Sequence, residues 1–148
     1  MIDKEALKKT MVVIHQKHID ELENIRDSYK HGADLDEEDT RDPEDFSHQD
    51  EWTTASINLQ LRIERAHEEM RLIEKFPVTP LNEVTFGAVV CTENLNFVIG
   101  TVMPVFDFDN KKFVGISENA PIYKSLKGKH IGDVFKFGDY SYTIKTIL

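Results

Sequence analysis

The sequence predicts an α+β protein in two parts: an N-terminal antiparallel coiled-coil hairpin over residues 1–77, then an antiparallel β-sheet domain with one short helix over residues 78–148. Three observations predict it. Apolar residues of the first part recur at helical spacing, whereas those of the second fall in short runs rich in Val, Ile, Phe, Tyr and Thr. The change of period coincides with Phe76-Pro77-Val78-Thr79-Pro80, where two prolines forbid continued helix. Charge divides at the same place: residues 1–77 hold 11 Lys and Arg against 20 Asp and Glu, residues 78–148 hold 7 against 7, and the formal net charge of −9 lies wholly in the first part.

In the first helix, Leu7, Met11, Ile14, His18, Leu22, Ile25 and Tyr29 recur at intervals of 4, 3, 4, 4, 3 and 4. This is one helical stripe with an extra four-residue step near His18, and Gly32 is expected to stop it. The return helix shows Trp52, Leu59, Ile63, Ala66, Met70 and Ile73 at intervals of 7, 4, 3, 4 and 3, a heptad seam. Ser47 is expected to cap it, with Asp50 three residues later favouring the positive helix N-terminus. Each helix has one narrow apolar stripe, so antiparallel pairing with the other is the simplest way to bury both; pairing between two copies is the alternative. Roughly 27 residues per arm, at ~1.5 Å rise, make a rod of roughly 40 Å. His18 is expected to be a packed or partly exposed seam residue rather than a ligand or pH switch.

Between the helices lies the one compositionally biased segment. Asp34, Asp36, Glu37, Glu38, Asp39, Asp42, Glu44, Asp45, Asp50 and Glu51 face a single base, Arg41, which implies a partner that is cationic, metal-bearing or both. A calcium loop at Asp34–Asp39 is disfavoured, because the turn glycine and distal bidentate Glu of an EF-hand are missing.

In the second part, strands are expected at Glu83–Thr92, Phe97–Val105, Lys112–Ser117, Val134–Phe137 and Tyr140–Ile147. Phe137-Gly138-Asp139-Tyr140 has the pattern of a tight hairpin turn, and Pro121–Leu126 that of a short helix with Gly128 beyond its end. Cys91, the single cysteine, excludes an internal disulfide and, in an apolar run, is expected to be a buried, inert thiol. His130, in a Gly-Lys-His-Ile-Gly turn, has no Ser and Asp arrangement to complete a triad. The balanced charge of this part argues against binding free DNA, which needs clustered bases. No apolar run approaches the ~20 residues of a membrane span, and the start lacks a basic-then-apolar leader, so a soluble cytoplasmic protein is expected.

Three stretches and the overall layout resemble the bacterial Gre factors, which stimulate transcript cleavage on RNA polymerase. The run Ile116-Ser117-Glu118-Asn119-Ala120-Pro121-Ile122-Tyr123-Lys124-Ser125-Leu126-Lys127-Gly128-Lys129-His130-Ile131-Gly132-Asp133-Val134 is similar to that family's I-S-x-x-S-P-I-x-x-x-L-x-G-K-x-x-G-D-x-V signature, with Ala120 in place of Ser. Val84-Thr85-Phe86-Gly87-Ala88-Val89-Val90 resembles the first strand of the family's FKBP-like domain. Asp45-Phe46-Ser47-His48-Gln49-Asp50-Glu51-Trp52 resembles the hairpin-tip segment D-L-S/K-E-N-A-E-Y, with His48 at the first Glu.

The resemblance implies an FKBP-like second domain and a hairpin that enters the secondary channel of RNA polymerase. There Asp45, Glu44 and His48 would complete the polymerase's own site, Asp45 and Glu44 holding its Mg²⁺, against the 3′ end of backtracked nascent RNA. Asp42, Asp50 and Glu51 at the tip, and Ser117, Asn119, Pro121, Ile122 and Lys124 in the second domain, become candidate polymerase contacts. Mg²⁺ prefers oxygen ligands, and imidazole is a poor substitute. Either a neighbouring acid supplies the missing carboxylate while His48 accepts a proton, or the tip occupies the channel without supporting cleavage. Under the resemblance the chain carries no cofactor of its own and is no enzyme by itself. A prolyl isomerase and a chaperone-like holder of basic partners are the more distant alternatives.

Overall fold

The computed structural model describes the backbone of residues 1–36 and 43–148 and the side chains of residues 1–31 and 50–148. Its elements are α1 (Lys4–Asp36), α2 (Pro43–Glu74), β1 (Val89–Cys91), β2 (Asn96–Ile99), β3 (Met103–Phe108), β4 (Lys111–Ile116), α3 (Pro121–Leu126), β5 (Val134–Phe137), β6 (Tyr140–Thr143) and β7 (Thr146–Ile147). The chain is thus α+β, two long helices followed by a sheet. It divides into two compact units, Ile14–Met70 and Met1–Val13 with Arg71–Leu148.

Within Ile14–Met70 the helices run antiparallel. His15 on α1 meets the Ala66 carbonyl on α2 at 2.7 Å, while further along α1 Tyr29 meets Trp52, earlier on α2, with ring centroids 5.2 Å apart. The α2 side of the seam is as expected: Leu59, Ile63, Ala66 and Met70 are buried and Trp52 half-buried. The α1 side is shifted. His15, Ile19 and Leu22 are buried, whereas His18 is exposed and Ile25 is 46% exposed. The buried α1 positions Leu7, Met11, His15, Ile19 and Leu22 are spaced 4, 4, 4 and 3 apart, and Val12-Val13-Ile14 offers three apolar residues in a row with no preferred phase. Since a carbonyl only accepts, His15 carries its proton on Nε2.

Both inner helix ends also differ from expectation. α1 continues through Gly32, whose cost inside a helix is only about 1 kcal/mol. α2 starts at Pro43, so Ser47 lies within the helix rather than capping it; proline's fixed φ and missing N–H suit a first turn. At the other end of α1, Asp3 is the cap, its Oδ1 accepting from the N–H groups of Glu5 (2.9 Å) and Ala6 (3.1 Å).

The other unit is built on a five-stranded sheet ordered β3-β4-β2-β1-β7. It is mixed rather than antiparallel: β2 pairs with β4 in parallel, and the other pairings are antiparallel. The cause is local. The expected strand Phe97–Val105 is broken at Gly100, so β3 crosses to the sheet edge and β4 turns back between β3 and β2. Gly100 has φ +107 and donates its N–H to the Ile116 carbonyl at 2.7 Å; a Cβ there would lie 2.2 Å from the Phe86 ring. The return uses a two-residue turn at Asp109 and Asn110 with φ 50 and 57, the left-handed pair that matches strand twist.

The expected strand Tyr140–Ile147 also divides. β6 pairs with β5 through the anticipated Gly138-Asp139 turn, forming a separate two-stranded sheet, while β7 joins β1. The core gathers Val84, Val90, Phe97, Ile99, Tyr123, Leu126, Phe135 and Ile144. Phe97 is its aromatic centre, edge-on to Phe135, Phe137 and Tyr142 at 5.1, 5.5 and 5.4 Å.

Two lysines at the start of α1 organise this unit. Lys4, 4% exposed, donates from Nζ to the carbonyls of Thr79 (2.8 Å) and Gly87 (2.9 Å), with Phe76 5.4 Å below its ammonium. One turn later, Lys8 donates to the carbonyls of Glu74 (2.6 Å) and Phe76 (3.1 Å), placing a cation on acceptors freed by the end of α2. The chain's exit from helix to sheet is therefore hydrogen-bonded to α1.

Candidate functional site

Two groups of residues carry the functional expectations, one in each compact unit. At the hairpin tip, Asp42 lies outside the described residues. Glu44, Asp45 and His48 stand on the first turns of α2, but their side chains are also outside the description. Asp50 and Glu51 are described and exposed. With Thr54, Ala55 and Asn58 they line a shallow groove of about 420 Å³ at positions about one and two helical turns apart.

The Tyr29–Trp52 contact is the part of this tip that sequence periodicity located without revealing its geometry. The two rings meet edge to face at an interplanar angle of 70°, both half-buried. They form the aromatic layer of the seam beside Asp50 and Glu51, joining a large apolar contact to the acidic segment.

In the second unit, Ser117, Asn119, Pro121, Ile122 and Lys124 are brought together by the turn from β4 into α3. Ser117 Oγ accepts from the Asn119 N–H at 3.1 Å and the Ser117 carbonyl accepts from Ala120 N–H at 3.0 Å, which fixes the turn. Asn119, Pro121 and Lys124 are exposed, whereas Ile122 packs against the core. Tyr123, one residue on, is buried, and burial followed by the Glu118 charge pushes its phenol up. Beyond α3, Asp133 Oδ2 accepts from the His130 N–H at 2.8 Å, while the imidazole stays exposed. Asp133 thereby orders the turn through the backbone.

Ala120 occupies the N-cap of α3 with extended backbone, φ −68 and ψ 140, and no side-chain cap. Pro121 supplies the first helical residue, so the helix starts without the hydroxyl that Ser would provide.

Cys91 is half-buried rather than enclosed, and burial pushes its thiol up, with Lys111 acting in the opposite sense. Among the described residues, no group of three or more His, Cys, Asp or Glu side chains is placed to hold a metal ion. Among them, too, no helix is long and apolar enough to cross a membrane. Compared with known proteins, the chain matches no family model and no curated sequence.

Proposed function

We propose that this chain is a transcription elongation factor of the Gre type, binding RNA polymerase through an FKBP-like sheet domain and reaching into its secondary channel with the acidic hairpin tip. The observation that carries this reading is the antiparallel pairing of α1 and α2 by way of His15–Ala66 and Tyr29–Trp52, on a hairpin whose residues 34–51 hold ten acids. The Ser117–Lys124 turn, with Asn119, Pro121 and Lys124 exposed, supports it as a docking edge for polymerase.

The chemistry of the tip follows from its donor set. Carboxylate oxygens of Glu44 and Asp45 are hard ligands of the kind Mg²⁺ prefers. The polymerase's Mg²⁺ would stabilise charge on the attacking and leaving oxygens during phosphodiester hydrolysis. His48 would accept a proton from water, and Asp42, Asp50 and Glu51 would orient the tip against cationic groups of the channel. The catalytic activity resides in polymerase; this chain contributes side chains to it.

His48 at the Glu position favours a second reading, in which the tip fills the channel and modulates initiation or elongation without cleavage. A backtracked elongation complex with end-labelled RNA separates the two. Release of short 3′ fragments by the natural chain, lost in Asp45→Ala, is the expected result. Unchanged fragment release by Asp45→Ala removes Asp45 from the chemistry. Binding with altered initiation but no fragments establishes the channel-filling reading, and absence of binding refutes both.

A further inference from the structure

A depression of about 700 Å³ opens in the sheet unit beside the end of β1, the start of β4 and the link from β6 to β7, within the size range of small-molecule sites. Lys111, Lys112 and Lys145, from two separate stretches of chain, line it; Lys111 and Lys112 are consecutive on β4 and their side chains leave opposite faces, so Lys111 and Lys145 supply its ammonium groups. The three lysines are among the seven Lys and Arg in residues 78–148. Glu93 also lines it, but Lys145 Nζ lies 2.7 Å from its Oε1 and holds that carboxyl below its usual range. Lys112 is 3.3 Å from Asp107 at the margin. Lys111 has no ion pair among the described residues.

The wall is ordered from beneath. Asn96, 4% exposed, donates from Nδ2 to the Lys112 carbonyl at 3.2 Å and accepts the Thr92 N–H on Oδ1 at 3.4 Å. It thus ties the β1–β2 turn to the strand that carries Lys111. The left-handed Asn110, φ 57, adds a neutral amide to the rim, and Cys91 adds a thiol that burial keeps protonated rather than anionic. An anion entering here meets ammonium and amide donors, and the wall's one carboxylate side chain among the described residues is already paired.

We infer that this depression binds a small phosphate-bearing anion, with Lys111 as its principal charged contact. A phosphate suits the site because several oxygens share the charge and can meet a point-like ammonium and an amide at once. The site uses none of the tip residues and stands independently of the polymerase reading. The phosphate can belong to an inorganic polyphosphate or to a nucleotide.

Cys91 is the chain's single cysteine, so its alkylation rate reports on the depression directly. The full chain is treated with iodoacetamide in the presence of pyrophosphate, ATP, adenosine or citrate at matched ionic strength. Pyrophosphate and ATP are expected to slow Cys91 alkylation about fivefold or more, and adenosine to leave it unchanged. Lys111→Glu should raise the half-protecting concentration about tenfold or more, the loss of one charge-assisted contact, and Lys111→Gln should raise it less. Lys127→Glu, outside the depression, should retain full protection. Equal protection by pyrophosphate and ATP assigns the phosphate alone as ligand, whereas tighter protection by ATP adds the nucleoside. The proposal is overturned if neither protects at about 10 mM, far above a useful affinity, or if citrate protects as well. Unchanged protection in a folded Lys111→Gln chain overturns it too.

Discussion

Lys4 places an ammonium inside the sheet unit, where two backbone carbonyls and the face of Phe76 replace water. Burial disfavours the charged form, so its pKa falls below the ordinary 10.5. Between that lowered value and 10.5 the unfolded chain binds more protons than the folded one, and stability drawn through Lys4 rises with pH across that window. Lys4→Met keeps most of the stem but leaves the Thr79 and Gly87 carbonyls without this donor, for an expected loss of about 1–2 kcal/mol at neutral pH. Urea denaturation of both chains from neutral to alkaline pH checks the sign: the difference between them should widen as pH approaches 10.5. A difference that shrinks would mean that the charged form is the better bound one. Nothing in the sequence pattern singles out Lys4 or Lys8. Each is a polar residue flanking the Leu7 stripe, and its role depends on carbonyls 66 to 83 residues away.

At the scale of elements, the α2 seam was legible because Leu59, Ile63, Ala66 and Met70 keep heptad spacing among residues that are polar but for Leu61, which is left exposed. On α1 the run Val12-Val13-Ile14 admits several phases, and the choice of His15 over His18 is made by the Ala66 carbonyl across the seam. The strand-rich composition of the second part was equally plain, yet the parallel β2–β4 pairing was not. Its partners are distant in sequence, and the break at Gly100 is hidden in a run of β-branched residues. Of the candidate sites, the Ser117–Lys124 turn came from a contiguous motif, whereas the lysine-lined depression is assembled from separate strands and has no local signature. Two elements invite tests. Ala120→Ser adds the missing cap of α3 and should stabilise the chain by about 0.5–1 kcal/mol in urea denaturation; no gain would show that the first-turn N–H groups are already satisfied. Trp52→Ala should cost about 1–2 kcal/mol and speed amide exchange around residues 24–31 and 52–58, leaving the sheet's exchange unchanged. Equal acceleration in the sheet would instead make Trp52 a determinant of global stability.

Over the whole molecule the charge of residues 34–51, ten acids and one base, equals the net −9 of the full chain, so the remaining residues are balanced. Such a concentration of one sign serves association more than folding, since like charges repel and the described acids Asp50 and Glu51 are exposed to solvent. If the tip approaches cationic surfaces of RNA polymerase, attraction operates over a Debye length of about 10 Å at 0.1 M salt and about 3 Å at 1 M. Binding to purified polymerase is therefore expected to weaken about tenfold or more between roughly 0.05 and 0.5 M salt, chiefly through the association rate. Replacing Glu37, Glu38 and Asp39 by Gln, Gln and Asn should flatten that dependence without altering the melting temperature. Measuring basic proteins unrelated to polymerase in the same salt series distinguishes a dedicated partner from a general holder of cations. Parallel affinities for both would favour the holder, salt dependence confined to polymerase would favour the elongation factor, and salt-independent polymerase binding would mean that the acidic segment does not bring the chain there.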